Sequence, residues 1–391
     1  MQSLNDIFEQ VWEDAEAHQG KRLTKVQLAS LAGCSSSLLT KYTNGEEEIS
    51  FPILIRLIRE LYEDEHVYFA PVLDNPFDYM ERMENIRWFM QYLLFSRRIR
   101  SLEMMLNSDR FQDNRKNKDF IKIFKLFVNY YNMKDIIEEL HNYSPKHPET
   151  KALKLILSAF IAHREKNYIV MYSYYPRLIS AINDVTDVFL HDSFLLQAKQ
   201  INMCGELYVN TNFPVARKLA MEIISSKICA EFKTESYYIV GTSYMFVDFE
   251  KSMHNYEEYR KQLIEYGRVC EAEIVKLCDE VFLKILHGKI DRSEINDMSE
   301  LAHYEARWGN RDTAQKLAEQ SIERYGYSIF RDYYLSLAKM DGSELFRVLV
   351  KMLVSGKRIY ACMVYKSLQA FSDFQIPSKI LMENYKLEMV V

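Results

Sequence analysis

Apolar residues recur at helical spacing along most of the chain. Over residues 3–18, Leu4, Ile7, Phe8, Val11 and Trp12 mark one face of a leading helix. A tighter pattern follows from Leu23 to Gly45. Thr24 is placed to cap a helix that carries Val26, Leu28, Ala29 and Ala32 inward. Gly33 then permits a sharp turn where a side chain would add strain, and Cys34 is expected to fill the core as a small apolar residue. Ser35 reads as the cap of a second helix, about Ser36 to Thr43, with Leu38, Leu39 and Tyr42 inward. Asn44-Gly45 should stop it, since both residues tolerate positive φ. Ser50 caps a further helix with Pro52 in its first turn and a core face of Ile53, Leu54, Leu57, Ile58 and Leu61. This pattern predicts an N-terminal helix-turn-helix unit over residues 1–66. The segment 67–76, broken by two prolines, reads as a junction.

From residue 77 the same periodicity returns in helices of about 12–18 residues with short breaks. Approximate pairs fall at 77–107, 117–143, 148–182, 186–227, 229–266, 267–308, 311–339 and 342–372, and a last helix at 376–389. A loose period of about 35–40 residues predicts a tetratricopeptide-like array over 77–375, in which each helix pair buries its face against its neighbours. Residues 376–391, with Ile380, Leu381, Tyr385, Leu387 and Val390 in one stripe, should either seal the array or pair across a dimer axis. The fold class expected is all-α: a helix-turn-helix domain followed by a superhelical array of helix pairs.

Composition agrees with this. Eleven Gly and eight Pro in 391 residues leave little material for strands and long loops, and 48% hydrophobic residues are ample for a large core. The net charge of −5 adds a constraint. Lys21, Arg22, Lys25 and Lys41 lie near the expected DNA face, but Glu46, Glu47 and Glu48 lie against them, so one copy neutralises few phosphates and useful affinity calls for two. The six cysteines are scattered without a CxxC spacing, which suits buried free thiols in a reducing compartment. No signal-peptide core opens the chain and no run of about 18 apolar residues occurs, so a cytoplasmic protein without a membrane span is expected.

Motifs for chemistry are missing. There is no phosphate-cradling GxxxxGK[ST] or GxGxxG, no HExxH or Cys/His cluster at metal-ligand spacing, and no GxSxG elbow. Paired carboxylates such as Glu138-Glu139 sit among lysines and tyrosines on amphipathic helices and read as solvated faces. No catalytic residue, metal or cofactor is expected. The 27 Tyr and 22 Phe are chiefly packing between helices, though some tyrosines can line a groove and bind a peptide backbone. On one helix, Glu231, Glu235, Tyr238 and Thr242 fall at i, i+4, i+7 and i+11, a polar-aromatic face of that kind; Glu300 and Tyr304 form a similar pair further on.

Two resemblances sharpen the reading. The string from Gly33 to Gly45 resembles the turn and recognition helix of Cro/repressor-type regulators. Gly241-Thr-Ser-Tyr-Met-Phe246, followed by Asp248, Lys251 and Ser252, resembles the arbitrium receptor family. That likeness continues at Glu300-Leu301, Tyr304, Ala314 to Glu323, and Ser355-Gly356. It implies a phage regulator of the lysis–lysogeny decision: a homodimer that binds double-stranded operator DNA until a short signalling oligopeptide occupies its array. It also implies peptide contacts. A groove glutamate of the family matches Glu300, and Tyr360 supplies a nearby aromatic. A family arginine is replaced by Glu231 and a family aspartate by Lys357, which implies a peptide of different charge or anchoring. Asn202, Asn210 and Asn212 are candidates for the family's asparagine contacts.

The recognition helix is expected to enter the major groove N-terminus first. Ser36, Ser37 and Thr40 would read bases, and Ser35, Lys25 and Lys41 would hold phosphates. The alternatives are a chromosomal peptide-sensing regulator with the same domain order, and a protein-binding scaffold, which the acidic run at Glu46–Glu48 slightly favours and the Ser35–Gly45 pattern opposes more strongly.

Overall fold

The computed structural model describes residues 3–19, 23–62, 68–69, 79–108, 117–226, 230–385 and 387. Every regular element among the described residues is helical. The order opens with α1 (Leu4–Gln19), α2 (Lys25–Ala32), α3 (Ser36–Thr43), α4 (Phe51–Leu61), α5 (Met83–Phe95) and α6 (Ile99–Leu106). It continues with α7 (Lys118–Tyr131), α8 (Ile137–Asn142), α9 (Pro148–Arg164), α10 (Tyr168–Ser173), α11 (Tyr175–Asn183), α12 (Val188–Tyr208) and α13 (Phe213–Ile224). Then come α14 (Ala230–Tyr244), α15 (Phe249–Glu265), α16 (Val269–Ile274), a π-helical turn (Val275–Asp279) and α17 (Glu280–Leu286). The chain closes with α18 (Met298–Trp308), α19 (Arg311–Tyr325), α20 (Ile329–Ala338), α21 (Gly342–Val354), α22 (Arg358–Leu368) and α23 (Ser372–Asn384).

The chain divides into two compact units. The first comprises Met1–Ser158, Pro176–Ala198 and Ser225–Phe232; the second comprises Ala159–Tyr175, Lys199–Ile224 and Lys233–Val391. The first unit therefore extends well past residue 66, and its core shows why. The Phe51 ring lies 5.4 Å from those of Phe69 and Phe89, 5.6 Å from Tyr92 and 6.0 Å from Phe189. Fully buried Asn85 accepts from the Phe51 amide (2.8 Å) and donates to the Ile49 carbonyl (2.9 Å). Asn85 thus satisfies an orphan amide at the start of α4, where the expected cap, Ser50, makes no side-chain bond. The expected junction, 67–76, falls mostly outside the described residues; Tyr68 and Phe69 within it are buried.

In the second unit, Tyr256, Tyr333, Leu345, Leu349 and Val364 belong to one core made from several consecutive helices. At Gly241, α14 comes close to α15: a Cβ there would lie 2.8 Å from the Tyr256 ring and 3.2 Å from the Ser252 carbonyl oxygen.

Several local expectations change. Val26 is 69% exposed, because Leu28, Ala29 and Ala32 already fill the inward arc of α2. Asn44 stays right-handed (φ −83) and only Gly45 takes positive φ (69) at the end of α3. Residues 148–182 form three helices rather than two. The last helix begins at Ser372, four residues early, and carries Pro377 inside it. The thiols are not uniformly buried: Cys204 and Cys362 are, Cys34 and Cys278 are partly so, and Cys270 is exposed. Cys229 and Val390 lie outside the described residues.

Candidate nucleic-acid interface and candidate peptide site

In the first unit, α2 and α3 are built from their caps. Thr24 closes a capping box with Gln27, and Gly33 ends α2 in the left-handed conformation (φ 68). Ser35 caps α3 by accepting from the Leu38 amide (3.2 Å). Leu39 and Tyr42 are buried against the unit, which leaves Ser35, Ser36 and Ser37 exposed at the N-terminus of α3. Ser35 and Ser37 share a hydrogen bond of 2.9 Å, and the Thr40 hydroxyl donates to the Ser36 carbonyl (3.0 Å). Of the four cations expected near this face, Lys21 and Arg22 lie outside the described residues, and the other two are engaged: Lys25 donates to the Thr43 hydroxyl (2.9 Å), and Lys41 pairs with Glu47 (2.7 Å). The acidic run is less concentrated than its sequence suggests. Glu48 turns away and accepts from the amides of Glu81 (2.9 Å) and Arg82 (2.7 Å), ahead of α5.

In the second unit, the Gly241–Ser252 motif is a clamp between helices. Asp248 caps α15 through the Lys251 amide (3.0 Å), buried Ser252 donates to the Gly241 carbonyl (2.8 Å), and Thr242 shares a hydrogen bond with Tyr256 (3.1 Å). Arg217 lies over the Tyr244 ring (4.5 Å), and the Met245 carbonyl meets a His287 ring nitrogen at 2.8 Å. Thr242 is wholly buried and works from behind the surface.

Tyr238, a half-buried residue of the same helix, faces elsewhere. Its hydroxyl donates to Asp279 Oδ1 at 3.1 Å. Asp279 is the last residue of the π-helical turn. Burial raises the phenol pKa values of Tyr168, Tyr256 and Tyr360, and the nearby charge of Asp279 raises them further. Tyr168 stacks on Tyr208 at 4.0 Å, and Tyr360 packs edge-on against Phe330 at 4.8 Å. Burial pushes the Asp279 carboxyl up to about 6, with the Tyr238 hydrogen bond and Lys166 opposing the shift. Among the described residues, no cation lies within 4 Å of Asp279. Lys357 is half-buried, and burial and then the positive charge of Lys166 hold its ammonium below the usual range.

Glu300 occupies an adjoining position. It accepts from the Tyr334 hydroxyl (3.2 Å) and lies 3.4 Å from His303 Nδ1. Burial, then the charges of Asp297 and Asp279, push its carboxyl well up, while burial pushes buried His303 down, so the imidazole is neutral. His303 stacks on Tyr334 at 4.5 Å.

The remaining predicted peptide contacts are distributed differently. Glu231 belongs to the first unit, where it is buried and paired with Arg98 at 3.1 Å. Tyr304 packs against Val281, Ile285 and Ile295. Asn210 donates to Glu206 (3.0 Å) and Tyr172 (3.3 Å), while Asn202 is half-buried on α12 and Asn212 is exposed just before α13. Sequence reasoning missed Asp279 altogether.

The described residues form an all-helical repeat architecture, with an exposed, serine-capped short helix in one unit and a cluster of tyrosines around Asp279 in the other. Residues 77–370 match the model of the AimR transcriptional regulator-like family, and the chain belongs to that family. Among solved structures, a selenomethionine form of phAimR shares the fold at a TM-score of 0.65 and 15% identity, covering 97% of this chain and 99% of that one. A phAimR–ligand structure matches at a TM-score of 0.69 and 15% identity, covering 83% of this chain and 98% of that one. No curated protein sequence matches the chain. Among the described residues, no helix is long and apolar enough to cross a membrane.

Proposed function

We propose that this chain is a cytoplasmic, DNA-binding transcription regulator controlled by a short communication peptide, the receptor of a phage lysis–lysogeny switch. In this reading residues 1–66 contact DNA, with α3 entering the major groove, and residues 77–375 sense the peptide. Ser36, Ser37 and Thr40 read base edges, and Ser35, Lys25 and Lys41 hold phosphates. Two copies, joined by the C-terminal segment 376–391, would set their recognition helices about 34 Å apart, or a multiple of it, on one face of the duplex. The peptide occupies the tyrosine-lined site of the second unit and changes how firmly the dimer holds its operator. Turning such a switch from 1:99 to 99:1 requires about 5.5 kcal/mol of differential peptide affinity.

The observation that carries this reading is the exposed, Ser35-capped start of α3, whose three consecutive serines face solvent in a member of a transcription-regulator family. Binding of the full-length protein to DNA from upstream of its own gene, measured at several salt concentrations against a scrambled duplex, tests it. Equal affinity for both duplexes would overturn it.

One observation favours a second reading. Lys41 already has an anionic partner in Glu47, as a face that docks protein rather than DNA would. Under that scaffold reading the duplexes would not bind at all.

A further inference from the structure

Charge is unevenly placed in the first unit. Residues 1–66 carry six Lys or Arg against twelve Asp or Glu, whereas residues 97–154 carry thirteen against eight. Both stretches belong to one compact unit, whose excess of positive charge therefore lies outside the helix-turn-helix. Its centre is α7. Lys118, Lys122 and Lys125 fall at i, i+4 and i+7 on one exposed face, about 10 Å long, which matches about three base-pair steps of duplex. Buried Asp119 anchors the first turn of α7: it accepts from the Thr150 hydroxyl (2.6 Å), the Tyr143 hydroxyl (2.8 Å) and the Lys146 amide (2.8 Å). Those bonds bring exposed Lys146, and exposed Lys151 next to Thr150, close to the start of the lysine face. None of these five lysines has a side-chain hydrogen bond or ion pair among the described residues. The carboxylates of the stretch leave them free. Asp119 is spent inside, Asp135 accepts from the Ile137 amide (3.1 Å), and Glu103, Glu138, Glu139 and Glu149 pair with none of the five.

Building on the DNA-binding reading above, we infer that the lysine face of α7, with Lys146 and Lys151, is a second DNA-contacting surface, which holds the phosphates of duplex flanking the stretch that α3 reads. An unpaired cluster of like charge repels itself and is relieved by a polyanion. The helix-turn-helix lacks what this face supplies. Lys25 and Lys41 already have partners in Thr43 and Glu47, and the acidic balance of residues 1–66 opposes a duplex. Phosphate contacts carry affinity and orientation without sequence information, so α3 reads and α7 holds. An acidic protein is the other partner such a face could take. The duplex is favoured because the five lysines share one compact unit with α3 and make up its shortage of positive charge.

The test compares the full-length protein with the triple variant Lys118→Gln, Lys122→Gln and Lys125→Gln, on duplex DNA from upstream of its own gene and on a scrambled duplex of equal length, at several salt concentrations. Glutamine keeps helical propensity and solubility, and thermal melts confirm that the variant is folded. The variant should bind both duplexes more weakly by one common factor, at least about tenfold at about 0.1 M salt, with the preference between them unchanged. Its slope of log K against log salt should be flatter by about 2–3 per protomer. Acetylation footprinting locates the contact: bound DNA should protect Lys118, Lys122, Lys125, Lys146 and Lys151, and leave exposed Lys316 of the second unit reactive. Equal affinity and slope for variant and parent, or no protection of these lysines, would overturn the inference while leaving the DNA-binding reading intact. A parent that binds the upstream duplex no better than the scrambled one would overturn that reading, and the inference would still stand or fall on the variant's loss of affinity. A folded parent that binds neither duplex would overturn both and leave the face to an acidic protein.

Discussion

Lys41 Nζ lies 2.7 Å from Glu47 Oε1, so the cation best placed to follow α3 onto a phosphate already has a partner of opposite charge. DNA must compete with Glu47 for it. Glu47→Gln should therefore tighten binding to DNA at low salt, and Lys41→Glu should weaken it. For a single phosphate contact, Lys41→Glu should also flatten the slope of log K against log salt by about one. A slope and affinity indistinguishable from those of the parent would remove Lys41 from the interface.

Gly241 should be close to irreplaceable by alanine. The helical propensity gained, about 0.5–1 kcal/mol, is outweighed by a Cβ driven into the Tyr256 ring and towards the Ser252 carbonyl. Gly241→Ala should lose about 1–3 kcal/mol of stability in urea denaturation. Equal or greater stability would mean that α14 and α15 have room between them.

The Asp279 carboxyl titrates at about 6 in the folded protein, against about 3.9 for an unfolded aspartate. Between those values the native state holds the proton more tightly than the unfolded chain does. Stability therefore falls as pH rises from about 4 to about 6, and the deficit persists above that. Asp279→Asn should match the parent at pH 4 and exceed it at pH 8 by on the order of 1–3 kcal/mol. Denaturation curves that differ equally at both pH values would contradict this.

Much of this architecture is legible in the sequence, because capping and close packing demand particular residues. Thr24, Gly33 and Ser35 stand at helix ends where a cap is needed, and Gly241 stands where two helices meet too closely for a side chain. The π-helical turn was not legible. It adds no Gly or Pro, and the residues at its borders, Ile274 and Glu280, keep ordinary helical dihedrals, so no residue type announces it. Asp279 was hidden with it. Glu231 shows the complementary limit: helical periodicity puts it on one face with Tyr238, but the chain passes from one compact unit to the next between them, and Arg98 engages Glu231 in the first. The family-like motif at Gly241–Ser252 is conspicuous in sequence for packing reasons, since its polar atoms are spent holding α14 to α15.

The last helix divides between core and surface. Leu381, Met382, Tyr385 and Leu387 pack into the core of the second unit, whereas Ile376 and Ile380 are 70% and 52% exposed. If the dimer forms through α23, Ile376→Asp combined with Ile380→Asp should yield a folded monomer in sedimentation velocity. A double variant that remains dimeric would move the dimer contact elsewhere.

The central claim is that peptide occupancy and DNA binding are linked in one chain. Fluorescence anisotropy of labelled upstream DNA, titrated with the full-length protein with and without a saturating library-selected peptide, measures that linkage directly. The account predicts at least about a tenfold change in DNA Kd, about 1.4 kcal/mol of coupling, and the same factor in peptide affinity when DNA is saturating. An identical DNA Kd in the presence of bound peptide would contradict it.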